Sequence, residues 1–261
     1  MELSAFQYDL AWEDRGANFA LVEAALAAAQ PALAHGSLLV LPEMCSSGFS
    51  MNVAAAADTP AGETEIFLAR LARQHQITVL GGLARQLPDG KGANEAVAFG
   101  PDGSLLCRYR KIHSFSPAGE AEAFSAGREV VTFPWNGFTV CPLICYDLRF
   151  PELFRAAATR GTDLFCVIAN WPDRRHRHWT TLLQARAIEN QAFVLGVNRS
   201  GADPRFQYAG GTTLTDPHGK TLADAGSGPG LLRATPSPET TAAWRAAFPA
   251  LRDRRSDLFP A

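Results

Sequence analysis

The sequence predicts an α/β protein in which two β-sheets pack face to face and helices cover their outer surfaces. Short, β-rich apolar runs alternate along the chain with longer helical stretches, which is the pattern of layered α/β folds. The segment Gly100-Pro101-Asp102-Gly103 lies between two predicted strands, and Asp216-Pro217-His218-Gly219 repeats its Pro-x-Gly spacing. Both segments are typical of hairpin turns. The shared spacing favours two similar sheets, although Pro-x-Gly turns are common in themselves.

Ten runs are predicted as strands from their apolar and β-branched residues. They are Leu3–Tyr8, Leu38–Leu41, Ile77–Gly81, Ala93–Phe99, Leu105–Arg110, Val130–Phe133, Thr139–Ile144, Leu164–Ile168, Phe193–Asn198 and Thr212–Thr215. Four longer stretches are predicted as helices: Asp14–Ala34, Thr64–Gln74, Pro151–Arg160 and Trp179–Gln191. No long linker or low-complexity segment divides them, so a single domain over residues 1–261 is expected.

The composition is that of an ordinary globular protein. The 261 residues carry a formal net charge of −2, and 47% of them are hydrophobic. This balance lacks the positive field that attracts nucleic acid or anionic lipid, so neither partner is expected. The first ten residues have the pattern of a strand and not of a targeting peptide, and no run reaches the length of a membrane span. The five cysteines, an odd number, predict free thiols in a reducing, cytoplasmic compartment.

Three polar residues, Glu43, Lys111 and Cys145, each directly follow an apolar run that is predicted as a strand. In open α/β sheets the carboxyl ends of strands carry ligand sites, because the loops there are free to present polar groups. A carboxylate, a cation and a thiol delivered in this way can converge on one pocket. Taken singly, each has a structural explanation: a capping or surface glutamate, a charged strand edge, and a cysteine that fills the core.

Together these residue types suit covalent hydrolysis. A catalytic thiol needs a base nearby, and because no histidine stands out for this role, Glu43 is the expected base for Cys145. Lys111 is expected to hold the buried carboxylate and to donate a hydrogen bond to the developing oxyanion. Cys145 also opens a sharp strand-to-helix connection. The backbone N–H of Tyr146 is therefore the expected second oxyanion donor, as in nucleophile elbows.

No metal or organic cofactor is expected. The chain has neither a glycine-rich phosphate loop nor a dinucleotide-binding motif. Cys141 and Cys145, taken with His176 and His178, lack the ligand spacing of a zinc site. Cys45 is expected to be a small packing residue, and a redox role for Cys45 or Cys141 stays open.

Five segments in this order resemble the nitrilase (carbon–nitrogen hydrolase) superfamily over nearly the whole chain. They are Leu41-Pro42-Glu43-Met44, Tyr109-Arg110-Lys111-Ile112-His113, Cys145-Tyr146-Asp147-Leu148-Arg149-Phe150-Pro151-Glu152, Ala185-Arg186-Ala187-Ile188-Glu189-Asn190-Gln191 and Asp216-Pro217-x-Gly219. The resemblance implies an αββα sandwich, and it implies that copies pair through helices into αββααββα assemblies. It also gives Glu43, Lys111 and Cys145 the catalytic roles that their chemistry suggests.

The family has a second glutamate between its lysine and its cysteine. Glu120, seven residues before Gly127, falls in this position, and Glu122 is the competing candidate. The spacing favours Glu120. Its implied role is to hold Lys111 and to help orient the substrate.

Closer resemblance points to the omega-amidase branch of the superfamily. It rests on Phe165–Pro172, Arg175, His178-Trp179 and the C-terminal Phe248–Leu251. Enzymes of this branch release ammonia from α-keto-ω-amides such as α-ketoglutaramate and α-ketosuccinamate. The alternatives are an amidase for deaminated glutathione, a nitrile hydrolase, and a catalytically silent binding or scaffold protein.

The expected partner is a small amide, and the low charged fraction of 19% hints at a homodimer or larger homo-oligomer. An omega-amidase must hold a carboxylate at the far end of its substrate, and arginine offers the best geometry for this. Arg175, in the loop after the strand that ends near Ala169, is the predicted clamp; a solvated basic loop is the alternative. His178 and Phe49 are further candidates for substrate binding.

Overall fold

The chain forms two large mixed β-sheets in the computed structural model, which describes residues 2–58, 62–255 and 257–258. The strands of the described residues are β1 Leu3–Gln7, β2 Leu38–Val40, β3 Ala57–Asp58, β4 Thr78–Gln86, β5 Gly92–Phe99, β6 Leu105–Arg110, β7 Phe133–Trp135, β8 Phe138–Ile144, β9 Leu164–Ala169, β10 Phe193–Asn198, β11 Ser200–Ala202, β12 Gln207–Ala209, β13 Thr213–Thr215, β14 Thr221–Asp224 and β15 Gly230–Ala234. The helices are α1 Arg15–Ala28, α2 Val53–Ala56, α3 Glu63–His75, α4 Glu120–Ala123, α5 Pro151–Ala158, α6 His176–Asn190 and α7 Pro238–Ala247. Short 3₁₀ helices cover Ser116–Ala118, Cys145–Arg149 and Asp173–Arg175.

The first sheet has the strand order β15-β1-β2-β4-β5-β6, with β3 paired to β4. Strands β1, β2 and β4 are parallel, whereas β5 is antiparallel to both β4 and β6. Strand β6 therefore runs in the same direction as β2, so the chain leaves both strands at the same edge of the sheet. The predicted turn at 100–103 closes the β5–β6 hairpin, with Gly103 at a φ of +78°, which residues with a Cβ rarely adopt.

The second sheet has the order β14-β13-β10-β9-β8-β7. Strands β8, β9 and β10 are parallel, and β13 and β14 form the hairpin predicted around residues 216–219. Both hairpin predictions are therefore confirmed, and one hairpin lies in each sheet. The residues that follow β8 and β9 lie next to each other at one edge.

The two sheets pack face to face, and successive residues of a strand point to different cores. In β2, Leu38 and Val40 belong to the core that includes both sheets, whereas Leu39 packs with residues of α1 and α3 on the outer side. Helices α5 and α6 cover the second sheet, with Phe154 and Trp179 completely buried. The predicted αββα sandwich is confirmed.

Several predicted elements differ from the structure in their bounds. Strand β4 runs on to Gln86, past its predicted end at Gly81, and α6 begins at His176, three residues before the predicted Trp179. The first helix ends at Ala28 and not at Ala34, because Pro31 lacks a donor N–H and disfavours helix in the residue before it. The predicted strand Val130–Phe133 begins only at Phe133, and Val130 packs on the core as irregular chain. No helix in the described ranges is long and apolar enough to cross a membrane.

Candidate active site

Glu43 follows β2 in a loop that lies directly on β4. The Leu41 N–H donates to the Leu80 carbonyl and the Cys45 N–H donates to the Gly82 carbonyl, at 2.8 Å each. A Cβ at Gly82 would lie 2.6 Å from the Glu43 Cα, so the close approach of the two segments requires glycine there. The loop holds the Glu43 side chain completely out of solvent.

Lys111, directly after β6, joins two buried carboxylates. Its Nζ donates to Glu43 Oε1 at 2.9 Å and to the two Glu120 oxygens at 2.9 and 3.1 Å. The lysine is only 2% exposed. Burial alone would lower the pKa of the Lys111 ammonium group, but the charges of Glu120 and Glu43 outweigh burial and raise that pKa above its ordinary value. Lys111 is therefore a permanent cation inside the site.

Glu120, and not Glu122, is the second glutamate that reaches Lys111. Glu120 is buried at the start of α4 and also accepts the Phe115 N–H at 2.6 Å, whereas Glu122 is exposed. Gly119 has a φ of +73° and turns the chain between the preceding 3₁₀ helix and α4. The structure thus brings together the lysine and both glutamates that the sequence singled out.

Cys145 adopts a backbone conformation that is rare for residues other than glycine. Its φ is +47° at the junction of β8 with a short 3₁₀ helix. Such left-handed conformations cost about 1–3 kcal/mol and concentrate at functional sites. The buried carboxylate of Asp147 holds the turn in place, since it accepts the Ile144 N–H at 3.1 Å and the Tyr109 hydroxyl at 2.7 Å. Asp147 thereby ties the turn of Cys145 to strand β6.

The same turn presents backbone donors beside the thiol. The first N–H groups of a helix have no partner within that helix. Tyr146 is the second residue of the 3₁₀ helix that begins at Cys145. The Tyr146 N–H therefore stays the predicted second oxyanion donor.

Burial raises the pKa of the Cys145 thiol well above its ordinary value, and the nearby Glu43 and Glu120 carboxylates contribute to the rise. Lys111 and the Asn170 N–H oppose this rise without cancelling it. The resting thiol is therefore neutral and must lose its proton as it attacks. This direction agrees with the role expected of Glu43, which is to take the thiol proton during the attack.

Two buried asparagines complete the site, and sequence reasoning assigned neither of them a role in it. Asn170, directly after β9, donates its backbone N–H to Glu43 Oε2 at 2.9 Å and its side-chain amide to the Glu43 carbonyl at 2.7 Å. Asn94, within β5, donates its side-chain amide to Glu43 Oε1 and to Glu120 Oε1, at 2.8 Å each. The position of Asn170 at a strand end was an available signal. Asn94 lies in the middle of a regular strand and offered none.

A small pocket opens at Cys145. Its wall is largely aromatic and includes Phe49, Phe115, Tyr146, Trp171 and Phe206. The polar groups that line it are those of Asn170, Arg149 and Arg175. A small apolar pocket with a few placed polar groups is typical of sites for small organic molecules.

Two of the three predicted substrate-binding residues line this cavity. The Arg175 guanidinium lies 5.1 Å from the centre of the Phe115 ring, and the Lys111 Nζ lies 5.0 Å from the centre of the Phe49 ring. His178 does not line the cavity. It is exposed on the first turn of α6, where the next residue, Trp179, is buried, and its Nδ1 lies 3.3 Å from Nη2 of the cavity residue Arg149.

Arg149 lines the cavity although it was not among the predicted site residues. It ends the 3₁₀ helix that begins at Cys145, and its guanidinium lies 4.7 Å from the centre of the Trp171 ring. In the described part of the chain, no Asp or Glu forms an ion pair with Arg149 or Arg175. Burial, together with the charges of Arg174 and Arg149, lowers the pKa of Arg175. Two neighbouring cations without a protein carboxylate are suited to bind an anionic group of a ligand.

The arrangement has the parts needed for nucleophilic acyl transfer: a thiol, a buried carboxylate that can take its proton, and cationic and backbone donors for an oxyanion. It does not have the form of a metal centre. Across residues 2–58, 62–255 and 257–258, no group of three or more His, Cys, Asp or Glu side chains is placed to hold a metal ion.

Comparisons with known proteins agree with this chemistry. The family model described as carbon-nitrogen hydrolase matches residues 2–246. The chain is 39% identical over 257 residues to the omega-amidase YafV of Yersinia enterocolitica, covering 97% of this chain and 96% of that protein. It is 32% identical over 258 residues to the 2-oxoglutaramate amidase of Bacillus subtilis, covering 98% of each. Among solved structures, a CN-hydrolase superfamily protein of Xanthomonas campestris with an arsenic adduct in its active site superposes with a TM-score of 0.91 at 32% identity, covering 98% of this chain and 97% of that one.

Proposed function

The chain belongs to the carbon–nitrogen hydrolase family and is a hydrolase of carbon–nitrogen bonds other than peptide bonds, and we propose that it is an omega-amidase. Its substrates are small α-keto-ω-amides, of which α-ketoglutaramate and α-ketosuccinamate are the first candidates. The full-length relatives named omega-amidase and 2-oxoglutaramate amidase support this choice. The observation that carries it is the pair of guanidinium groups, Arg149 and Arg175, in the same cavity as Cys145.

In the proposed reaction, the Cys145 sulfur attacks the amide carbon while Glu43 takes the thiol proton. Lys111 and the Tyr146 N–H stabilise the oxyanion of the tetrahedral intermediate. The protonated Glu43 then gives its proton to the departing ammonia, and a thioester remains on Cys145. Glu43 finally takes a proton from water, whose oxygen attacks the thioester, releases the acid and restores the thiol. Glu120 holds Lys111 throughout.

Steady-state hydrolysis of four compounds tests the proposal. Release of ammonia is followed for the two keto-amides and the nitrile, and release of the dipeptide amine is followed for deaminated glutathione, whose amide nitrogen belongs to its cysteine residue. We expect α-ketoglutaramate and α-ketosuccinamate to give the highest kcat/KM, because each carries a carboxylate at a short distance from its amide. Deaminated glutathione is the second candidate substrate, and a higher kcat/KM for it would replace the omega-amidase assignment. A simple nitrile is expected to give no ammonia. Absence of turnover on all of these compounds would favour a binding protein.

Arg175→Ala is expected to raise the KM for α-ketoglutaramate by more than about tenfold, which corresponds to about 1.4 kcal/mol and is the scale of one charged hydrogen bond. Arg149→Ala should act in the same direction, since both cations line the cavity. Neither change should alter the KM for a short uncharged amide, because that substrate has no carboxylate to bind. Steady-state kinetics on both substrates measure the difference.

Arg177→Ala is the matched control for these two variants. Arg177 is an exposed arginine in the first turn of α6 that does not line the Cys145 cavity. Its removal should leave both KM values unchanged. Equal losses on the charged and the uncharged substrate in Arg175→Ala, or no loss on either, would rule out the carboxylate-binding role.

The chain is further proposed to act as a homodimer or larger homo-oligomer in the cytoplasm. Ile188 of α6 and Phe248 after α7 are each 54% exposed although they are large and apolar. They lie near one another, because Gln191 at the end of α6 donates to the Phe248 carbonyl at 2.7 Å. This exposed helical surface supports pairing with a second copy. All five cysteines are free, which fits a reducing compartment.

A further inference from the structure

Asn94 contacts all three charged residues of the site. Its side-chain nitrogen donates to Glu43 Oε1 and to Glu120 Oε1, at 2.8 Å each. Its backbone carbonyl accepts the Lys111 N–H at 2.9 Å. The residue is 2% exposed and lies within a regular strand, so its position is set by the first sheet.

The place of this amide matters because the site holds more negative than positive charge. Glu43 and Glu120 share a single ammonium group, so the three groups together carry a charge of −1. Two carboxylates that face the same donors repel each other, and the repulsion is strong where water is excluded. The Asn94 amide offers its two hydrogens to one oxygen of each glutamate. It therefore fixes the separation of the carboxylates without adding another charge.

Both carboxylate oxygens of Glu43 accept hydrogen bonds that hold the side chain in place. Oε1 accepts from Asn94 and from Lys111, while Oε2 accepts the backbone N–H of Asn170 at 2.9 Å. Each side of the carboxylate thus has its own anchor, on a different sheet. Without Asn94, the Oε1 side would be held by the flexible side chain of Lys111 alone.

The oxygen of the Asn94 amide indicates that packing does not explain why an asparagine is buried at this position. Its Oδ1 is buried and has no hydrogen-bond partner among the described residues. An unpaired buried acceptor costs about 1–3 kcal/mol of folding free energy. The amide cannot simply be turned around, because its oxygen would then face two carboxylates. The two hydrogen bonds that the Asn94 amide donates to the glutamates offset this cost.

We propose that Asn94 is a positioning residue that holds Glu43 ready to take the proton of Cys145 and keeps Glu120 on Lys111. The inference rests on the proposed roles of Glu43 and Cys145, but not on which amide is the substrate. Because the resting thiol is neutral, its reactivity depends on a correctly placed base. Misplacement by about 1 Å is enough to cost on the order of 100-fold in rate.

The test compares Asn94→Ala and Asn94→Ser with the wild type in two assays. In the first, Asn94→Ala is expected to lower kcat on α-ketoglutaramate by about 100-fold, with a change in KM below about threefold. In the second, alkylation of Cys145 by iodoacetamide should slow in the same order, because it needs the same proton transfer but no substrate. Asn94→Ser keeps one short donor and should give intermediate values in both assays.

Asn190→Ala is the control for loss of a buried asparagine. Asn190 is completely buried in α6, and its side-chain amide donates to the Arg186 carbonyl at 2.9 Å, outside the site. This variant should keep the wild-type kcat and alkylation rate even if it melts earlier. Wild-type values of both quantities in Asn94→Ser, or in a folded Asn94→Ala, would overturn the proposal. If the wild type hydrolyses no keto-amide while alkylation still follows the expected order, the substrate assignment fails and the role of Asn94 stands.

Discussion

Cys145→Ala is expected to abolish turnover on every amide substrate while the protein stays folded. The nucleophile forms the covalent intermediate, and loss of a nucleophile in well-studied hydrolases lowers kcat by about 10⁶-fold. The change removes one sulfur atom from a side chain that is only partly buried at the cavity, so it leaves the packing of the sheets unchanged. Ammonia release and the melting temperature, measured on the same preparation, give the result.

Cys141→Ala and Cys45→Ala are the matched controls. Cys141 lies on β8, four residues before Cys145, and both control thiols are buried in the cores. They should keep much of the wild-type activity. Turnover at the wild-type rate in Cys145→Ala would remove Cys145 as the nucleophile.

Iodoacetamide should label Cys145 before the other four thiols, and a lowered thiol pKa is not the reason. The pKa of the Cys145 thiol is raised and not lowered. Burial likewise raises the pKa of Cys45 and the pKa of Cys107, each to about 12. The selectivity must therefore come from exposure and from the neighbouring base. Cys145 is the one thiol of the five that is not fully buried.

The features that the sequence predicts well are local ones. Alternating apolar runs indicate the strands, Pro-x-Gly spacing indicates the two hairpins, and the residue after a strand indicates where polar groups leave a sheet. A further local signal was available and unused. Asn136-Gly137 joins β7 to β8 with φ values of +43° and +85°, as expected for the Asn-Gly hairpins that two positive φ angles require. It would have moved the end of the predicted strand from Phe133 to Trp135, the residue before the turn.

The features that were missed depend on contacts between distant segments. Asn94 becomes part of the site only through the register of β5 with β4 and β6, which brings it beside Lys111 and under the Glu43 loop. Strand β15 completes the first sheet by pairing with β1, more than two hundred residues away along the chain. Arg149 reaches the cavity because the chain turns sharply at Cys145. No pattern of spacing within the sequence specifies these three arrangements.

Lys111→Met is expected to lower kcat by at least about 10²- to 10³-fold, which is the cost of losing one oxyanion donor. The structure adds a second effect. Lys111 is the cation between Glu43 and Glu120, and removal of one partner of a buried ion pair destabilises a fold by about 3–5 kcal/mol. The single variant should therefore both melt earlier and turn over slowly. These two losses must be separated before Lys111 can be assigned to the chemistry.

The double variant Lys111→Met/Glu120→Gln separates them. It removes one positive and one negative charge, so the site returns to the wild-type charge of −1, and the amide oxygen introduced at position 120 can still accept from Asn94. Most of the lost melting temperature should return, because the remaining carboxylate of Glu43 keeps its hydrogen bonds from Asn94 and Asn170. The kcat should stay at least about 100-fold below that of the wild type, since no substitution replaces the ammonium donor at the oxyanion. Recovery of kcat together with the melting temperature would instead show that Lys111 serves only to neutralise the two glutamates.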